Sequence, residues 1–293
     1  MPPKKHNSNK QAAKGAEVAP GMVNFYDKLP AELIPKYDNP NKHLHEMTIP
    51  FRACVVGPSG SGKTSWLCNL IHLFSQGKGT FASICIVTAN SDEPLYNYLR
   101  KLDDQIKVVE GIANTPKLDK FDKGEKHNAL SHLVVWDDLV LSKNLDVVCN
   151  YYIRARKQNV SCVFISQSYY HIPLMIRRNC NYLILLKLQG TRDINAIMRE
   201  CGLGLTKEQL VAMYEYATDT KMSPLIVDFN EQPNKRFRKG FTQILDPNQF
   251  MPFRHQHPLP WQQHHLQPDS DSGSESGSDD EERVERRGYT GRR

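Results

Sequence analysis

Short apolar runs alternate with longer amphipathic stretches from Phe51 to Phe229 of this 293-residue chain. The apolar runs are rich in Val and Ile and have the length of buried strands; they cover residues 53–56, 83–88, 106–110, 132–136, 160–166, 182–187 and 224–229. The stretches between them predict helices over residues 63–75, 94–102, 143–155, 173–177, 192–199 and 207–217. Because strands and helices alternate, we expect an α/β fold with a mostly parallel central sheet and helices on both of its faces.

The same pattern divides the chain into five segments. Residues 1–20 predict a disordered basic arm, residues 21–50 an ordered lead-in segment, and residues 51–230 the α/β domain. Residues 231–268 have the composition of a linker, basic at first and then rich in Pro, Gln and His. Residues 269–293 predict an acidic, Ser-rich tail with a basic end.

The composition, with 39% hydrophobic and 24% charged residues, excludes wholesale disorder. The net charge of +6 is uneven, because residues 1–20 carry +3 and residues 266–293 carry −3, which leaves a basic body. A basic body fits a nucleic-acid partner, although many soluble enzymes are equally basic. No apolar run approaches the roughly 20 residues of a membrane-spanning helix, and no secretory signal is visible. The seven scattered cysteines form no Cys-x-x-Cys pair and predict buried, reduced thiols.

One glycine-rich segment matches a phosphate-binding pattern at every required position. It follows the first predicted strand, opens the first predicted helix and reads Gly57-Pro58-Ser59-Gly60-Ser61-Gly62-Lys63-Thr64, with Ser65 next. Glycines let the backbone curl so that successive N–H groups face phosphate oxygens, and the helix N-terminus favours an anion. In this Walker A pattern, Lys63 reaches the β- and γ-phosphates and the Thr64 hydroxyl ligates Mg²⁺.

The apolar run at residues 132–136 ends in two acids, Asp137 and Asp138. Together with the glycine-rich segment it predicts a Walker B strand, in which Asp137 holds the Mg²⁺ shell and Asp138 orients and activates the attacking water. Two predicted strands, 83–88 and 106–110, separate the two Walker segments in the sequence. A strand inserted between the Walker strands is typical of ATPases that use an acid beside the Walker B aspartate. The sequence contains no Asn-Lys-x-Asp motif for reading guanine.

Two further candidates depend on their positions around the predicted strand 160–166. Gln167 follows this strand and could contact the γ-phosphate or the attacking water, or it could be a polar strand end. Arg154 and Arg156 precede the strand, and a guanidinium there could stabilise transition-state charge in a neighbouring subunit. The alternative for the arginines is a solvated basic helix end, which the helix dipole favours.

The later segments resemble a known family. Residues 156–161 (Arg-Lys-Gln-Asn-Val-Ser) and the following Ile165-Ser166-Gln167 are similar to the genome-packaging ATPases of poxviruses, other large DNA viruses, virophages and Polinton-type elements, within the FtsK–HerA superfamily. Segments 93–96 and 177–182 fit the same family, and the resemblance covers roughly residues 50–230. This chain departs from the family in having Lys157 where His is usual, and Asp138 where many superfamily members have Glu.

This resemblance implies a P-loop NTPase of RecA/FtsK-like fold that uses ATP and Mg²⁺ to move double-stranded DNA into a preformed capsid. It implies a homo-oligomeric ring with one site at each subunit boundary, where Arg156 acts in trans and Gln167 senses the γ-phosphate. It also implies a capsid protein or portal vertex as a partner. Such a protein would act inside the host cell, in the cytoplasm or nucleus where virions assemble, without membrane insertion.

Other functions stay open on the sequence alone. They are another DNA-pumping ATPase of the same superfamily, a nucleotide-gated binding module with slow hydrolysis, and a small-molecule kinase. The basic run at residues 235–239 could grip DNA, serve as a nuclear import signal or be a solvated linker. The acidic tail could be phosphorylated, bind a basic capsid surface or act only as a solubilising segment.

Overall fold

The computed structural model describes residues 21–34, 37–121 and 130–251. Three predicted segments therefore lie outside the described residues, in whole or in part. They are the basic arm at residues 1–20, the acidic tail at residues 269–293, and the part of the linker from residue 252 onward.

A nine-stranded sheet forms the centre of the fold, in the order β3-β2-β4-β5-β1-β6-β7-β8-β9. The strands are β1 (Arg52–Val56), β2 (Phe81–Thr88), β3 (Ile106–Glu110), β4 (Ser131–Asp137), β5 (Val160–Ser166), β6 (Tyr182–Leu185), β7 (Leu225–Asp228), β8 (Phe237–Lys239) and β9 (Gln243–Leu245). The first six strands pair in parallel, and β7, β8 and β9 continue the sheet antiparallel. This arrangement confirms the predicted mostly parallel sheet.

Helices cover both faces of the sheet. They are α1 (Lys42–His45), α2 (Lys63–Phe74), α3 (Pro94–Leu102), α4 (Asp146–Arg154), α5 (Leu174–Asn179), α6 (Arg192–Glu200) and α7 (Lys207–Ala217). One hydrophobic cluster packs α2 and α3 against one face of the sheet. A second cluster packs α4, α5, α6 and α7 against the other face. Successive residues of β1 alternate between the clusters, with Ala53 and Val55 in the first and Cys54 and Val56 in the second. The central strands are apolar on both faces because each face is covered.

The predicted strands and helices between residues 53 and 229 are all present, with small differences at their ends. The largest difference is at α4, which begins at Asp146 rather than at residue 143. Its start is delayed because the preceding segment turns, with the Ser142 N–H donating to the Leu139 carbonyl oxygen at 3.0 Å. No helix among the described residues is long and apolar enough to cross a membrane.

The linker prediction was wrong for the residues that form β8 and β9. Phe237 is fully buried, and Arg238 is only 4% exposed although it belongs to the basic run. Its guanidinium lies 3.5 Å from the Asp228 carboxylate on β7 and donates to the Glu46 carbonyl oxygen at 3.0 Å. Burial raises the pKa of Asp228, and the nearby Arg238 opposes that rise. Arg238 is therefore not part of a solvated linker, because the buried Asp228 carboxylate pairs with its guanidinium.

Replacing Arg238 with Ala should destabilise the fold by about 3 kcal/mol, because it leaves the buried Asp228 carboxylate without its partner. Lys235→Ala removes an exposed charge from the same basic run and should change the free energy of unfolding by less than about 0.5 kcal/mol. Urea denaturation of the two variants measures this difference. Equal, small effects would show that Arg238 is solvated and that the sheet ends before β8.

Candidate functional site

Three adjacent parallel strands end together at one edge of the sheet. In the register of the sheet, Val56 of β1 lies beside Ser166 of β5, and Asp137 of β4 lies beside Ile165 of β5. The Gly57 N–H, one residue beyond β1, donates to the Ser166 carbonyl oxygen at 3.1 Å. The glycine-rich loop, the paired acids and the segment that begins at Gln167 therefore meet at the same edge.

One strand lies between the two Walker strands in the sheet, but it is β5, which follows the Walker B segment in the sequence. The two strands that separate the Walker segments in sequence, β2 and β3, lie beyond β4 in the sheet. The strand that carries the candidate sensor is thus hydrogen-bonded to both Walker strands. Gln167, the residue after β5, therefore lies between the two acids and the glycine-rich loop of residues 57–64, which we call the phosphate loop.

The phosphate loop has the backbone shape that its glycines predict. Gly60 and Gly62 have φ values of 75° and 97°, in the region where a side chain is strained. Gly62 caps α2 and supplies no side-chain hydrogen bond, so the first N–H groups of this helix keep their capacity to bind an anion. The Lys63 ammonium donates to the Pro58 carbonyl oxygen at 3.0 Å and so lies back over the loop.

Two residues that the sequence did not single out lie so close to this loop that only glycine fits at the neighbouring loop positions without a shift. A Cβ on Gly57 would lie 2.9 Å from Leu186 Cβ, and one on Gly62 would lie 2.5 Å from Met222 Cγ. Met222 itself has a φ of 67°, which is unusual for a long side chain. Neither contact leaves a local signal in the sequence, since both neighbours are more than 100 residues away.

Tyr96 on α3 holds the Walker B aspartate. Its hydroxyl donates to Asp137 Oδ2, and both side chains are buried. Burial raises the pKa of Asp137, while the Tyr96 hydrogen bond and the Lys63 charge act in the opposite direction. Burial also disfavours the charged form of Lys63 and so lowers its pKa, and the charges of Asp137 and Asp138 oppose that shift. The half-buried lysine and the buried acid thus favour each other's charged forms.

Asp138 and Gln167 contact each other directly. The Gln167 amide donates to Asp138 Oδ1 at 3.1 Å, and both side chains are exposed at the edge of the sheet. Asp138 has a φ of 55°, so the chain turns sharply as it leaves β4. This contact joins the end of the Walker B strand to the end of the inserted strand.

Thr64 and Asp137 are the residues that could hold a cation. Thr64 is in the first turn of α2, and Asp137 ends β4 at the same edge. Tyr96 engages only Oδ2 of the carboxylate. A hydroxyl and a carboxylate are oxygen ligands of the kind that Mg²⁺ takes, with substrate phosphates and waters completing the shell. The donor set therefore fits Mg²⁺.

The structure does not bring Arg154 or Arg156 to this edge. Both are exposed and precede the start of β5 at Val160, whereas the phosphate loop lies beyond the end of that strand. The seven residues of β5 separate the two edges by roughly 20 Å, at about 3.3 Å per residue. Neither arginine can therefore contact the phosphate loop of its own chain.

The phosphate loop, the inserted strand and the two acids define the class of this chain as a P-loop NTPase. A family model described as Poxvirus A32 protein matches residues 41–229, which is more than half of the chain. The chain belongs to the Poxvirus A32 protein family. This membership confirms the resemblance to the poxvirus-type packaging ATPases.

Some solved structures are similar to this chain at low sequence identity. The genome packaging NTPase B204 from Sulfolobus turreted icosahedral virus 2, in complex with AMP, is 15% identical with a TM-score of 0.48; the match covers 68% of this chain and 100% of that chain. EssC (ATPases 2 and 3) from Geobacillus thermodenitrificans is 11% identical with a TM-score of 0.45, covering 68% of this chain and 40% of that chain. No curated protein sequence matches the chain.

Replacing Tyr96 with Phe should weaken a cation site at Asp137, because it removes the donor that positions the carboxylate and lowers its pKa. We expect the Mg²⁺ concentration that half-saturates nucleotide binding to rise by about tenfold, as is usual when a partner of a metal ligand is lost. A fluorescent ATP analogue titrated at several Mg²⁺ concentrations measures this shift. Tyr98→Phe removes an exposed hydroxyl from the same helix and is the matched control. Identical Mg²⁺ dependence in both variants would contradict the assignment.

Proposed function

We propose that this protein hydrolyses ATP and uses the reaction to move double-stranded DNA into a preformed capsid. The observation that carries the proposal is the meeting of three features at one sheet edge: the phosphate loop, the buried Asp137 and the Asp138–Gln167 hydrogen bond. Membership of the Poxvirus A32 protein family supports the same function.

The phosphate loop and the following Ser65 would bind the triphosphate through their backbone N–H groups and the N-terminus of α2. Lys63 would turn from the Pro58 carbonyl oxygen to the β- and γ-phosphates. Thr64 and Asp137 would hold Mg²⁺, which supplies charge neutralisation at the phosphate oxygens when bound. The positions of Lys63, Thr64 and Asp137 at the same edge of the sheet support these roles.

Asp138 would orient the attacking water and accept its proton, because its carboxylate is exposed at the end of β4, at the same edge of the sheet as the phosphate loop. Gln167 would report the γ-phosphate, because its amide is already shared with the acid that acts on the water. A change of partner at Gln167 would therefore register whether the γ-phosphate is present.

Arg156 would complete the site of a neighbouring subunit, since it lies at the edge of the sheet opposite its own phosphate loop. An arginine supplied from a neighbour stabilises the charge that spreads over the γ-phosphate in the transition state. A homo-oligomeric ring at the capsid or its portal vertex is the arrangement in which each subunit completes the next. Its place of action would be the site of virion assembly.

Long double-stranded DNA should stimulate ATP hydrolysis by the purified full-length protein. Lys63→Ala should lower both the basal and the stimulated rates by about 100-fold or more, because a charge aimed at the phosphates is lost. Phosphate release with and without DNA measures the effect. Hydrolysis that DNA does not change, both in solution and in the presence of capsids, would favour a nucleotide-gated binding module instead.

Mixing two inactive variants tests the trans arginine. Arg156→Ala subunits keep the acid, and Asp138→Asn subunits keep the arginine, so roughly a quarter of the interfaces in random mixtures should have both. We expect hydrolysis to recover towards that fraction when the variants are mixed at equal concentrations. Arg154→Ala in place of Arg156→Ala is the matched control. Absence of recovery with Arg156→Ala would exclude its action in trans.

A further inference from the structure

A group of exposed arginines lies on α5 and α6, beside the segment that follows Gln167. Arg178 of α5 and Arg199 of α6 line one cavity of about 480 Å³, together with Arg177. Arg192, at the start of α6, places its guanidinium 4.5 Å from the centre of the Tyr170 ring. We call Tyr170, Arg178, Arg192 and Arg199 the α5–α6 surface.

The acid in this cavity is already engaged. Glu200 Oε1 accepts from the Arg177 guanidinium at 2.6 Å, and its Oε2 accepts from the Tyr169 hydroxyl at 3.2 Å. Among the described residues, no carboxylate lies within 4.0 Å of the guanidinium of Arg178, Arg192 or Arg199. All three side chains are exposed. The α5–α6 surface therefore presents three positive charges that the described part of the chain does not neutralise.

The arginines of α6 are aligned along one side of the helix. Arg192 and Arg199 are seven residues apart, which is two helical turns or about 10 Å. Tyr170 is 51% exposed and stacks on Arg192, which restricts the guanidinium to a fixed direction. A planar guanidinium held in this way presents parallel N–H donors that match the geometry of a phosphate.

Hydrogen bonds tie this surface to the end of the inserted strand. Asp193 of α6 accepts from the Ser168 hydroxyl at 2.9 Å and from the Tyr170 N–H at 3.2 Å, both at Oδ1. Ser168 is the residue after Gln167, and the Ser168 N–H donates to the Ser166 hydroxyl at 3.2 Å. The Tyr170–Arg192 pair is thus connected by short contacts to the residue that faces Asp138.

We propose that the α5–α6 surface binds the phosphate backbone of double-stranded DNA. The inference rests on the proposed function and names the part of the chain that touches its substrate. Arginines that contact phosphates bind without regard to base sequence, which a protein that moves along DNA requires. The basic run at residues 235–239 is a poorer candidate, because Arg238 is buried against Asp228 and Lys239 pairs with Asp219 at 2.7 Å. The link through Asp193 would let a change at Gln167 reach the DNA contact.

The test compares two triple variants that remove the same charge from the full-length protein. Arg178→Ala, Arg192→Ala and Arg199→Ala together remove the proposed contacts. Lys101→Ala, Lys107→Ala and Lys120→Ala remove three exposed charges from α3, β3 and the 3₁₀ turn Leu118–Lys120. The readout is the affinity for a mixed-sequence DNA duplex between 50 and 200 mM salt, where each lost phosphate contact lowers the slope of log K against log salt by about 0.9.

We expect the arginine variant to bind the duplex at least about tenfold more weakly, with a slope reduced by about 2 to 3. Its affinity for a fluorescent ATP analogue should stay unchanged, which shows that the fold is intact. Its basal hydrolysis should persist while DNA stimulation disappears. The lysine variant should keep both affinity and stimulation. Tyr170→Ala should weaken DNA binding, and Tyr170→Phe, which keeps the ring against Arg192, should retain it.

Three outcomes would overturn this inference. An arginine variant with unchanged affinity and salt slope would remove the α5–α6 surface from DNA binding and leave the proposed function standing. Loss of oligomers in sedimentation, with an unchanged slope, would make the surface a contact between subunits. If the wild-type protein neither binds DNA nor responds to it, alone or with capsids, the inference and the proposed function fail together.

Discussion

The parallel alignment of β1, β5 and β4 is the constraint on which the site depends. These strands are buried on both faces, so their interiors are apolar and their polar groups gather where the chain leaves the sheet. Because the strands run in the same direction, those exits lie at one edge. The Gly57–Ser166 hydrogen bond fixes the phosphate loop to the neighbouring strand, and Asp137 lies beside Ile165 one strand further on. A slip of register would separate the loop from its acids.

Local patterns in the sequence were sufficient for the parallel core, because buried strands, amphipathic helices and a phosphate loop each have a short-range signature. The contacts that hold the site in place were not predictable in this way. Tyr96 and Asp137 are 41 residues apart, and nothing near either residue indicates that they meet. Strand β8 was missed for a related reason: Arg238 belongs to a charge run, and only its pairing with Asp228 makes its burial possible.

The described chain separates the groups proposed to bind phosphate from the arginines that precede β5. The phosphate loop, Asp137 and Asp138 lie at one edge, and Arg156 lies at the other. In the proposed ring, the core strands of each subunit would run from the edge that holds its own nucleotide site to the edge where Arg156 reaches the site of the next subunit. Gln167 stands where the two proposed contacts meet, with Asp138 on one side and the Ser168–Asp193 hydrogen bond on the other. In this scheme the buried strands would keep their positions, while the exposed segment at Gln167 would exchange hydrogen-bond partners.

Asp138 has a left-handed backbone conformation, which influences which acidic residue fits at this position. Aspartate and asparagine are enriched several-fold at positive φ, and longer side chains are less common there, although this chain also holds Glu46 at a φ of 51°. Glutamate, common at this position in the superfamily that the chain resembles, would gain one methylene of reach towards a water molecule. It would also have to be accommodated at a φ of 55°. Under the proposed function, the acid at this position would balance its reach towards the water molecule against the cost of a positive φ.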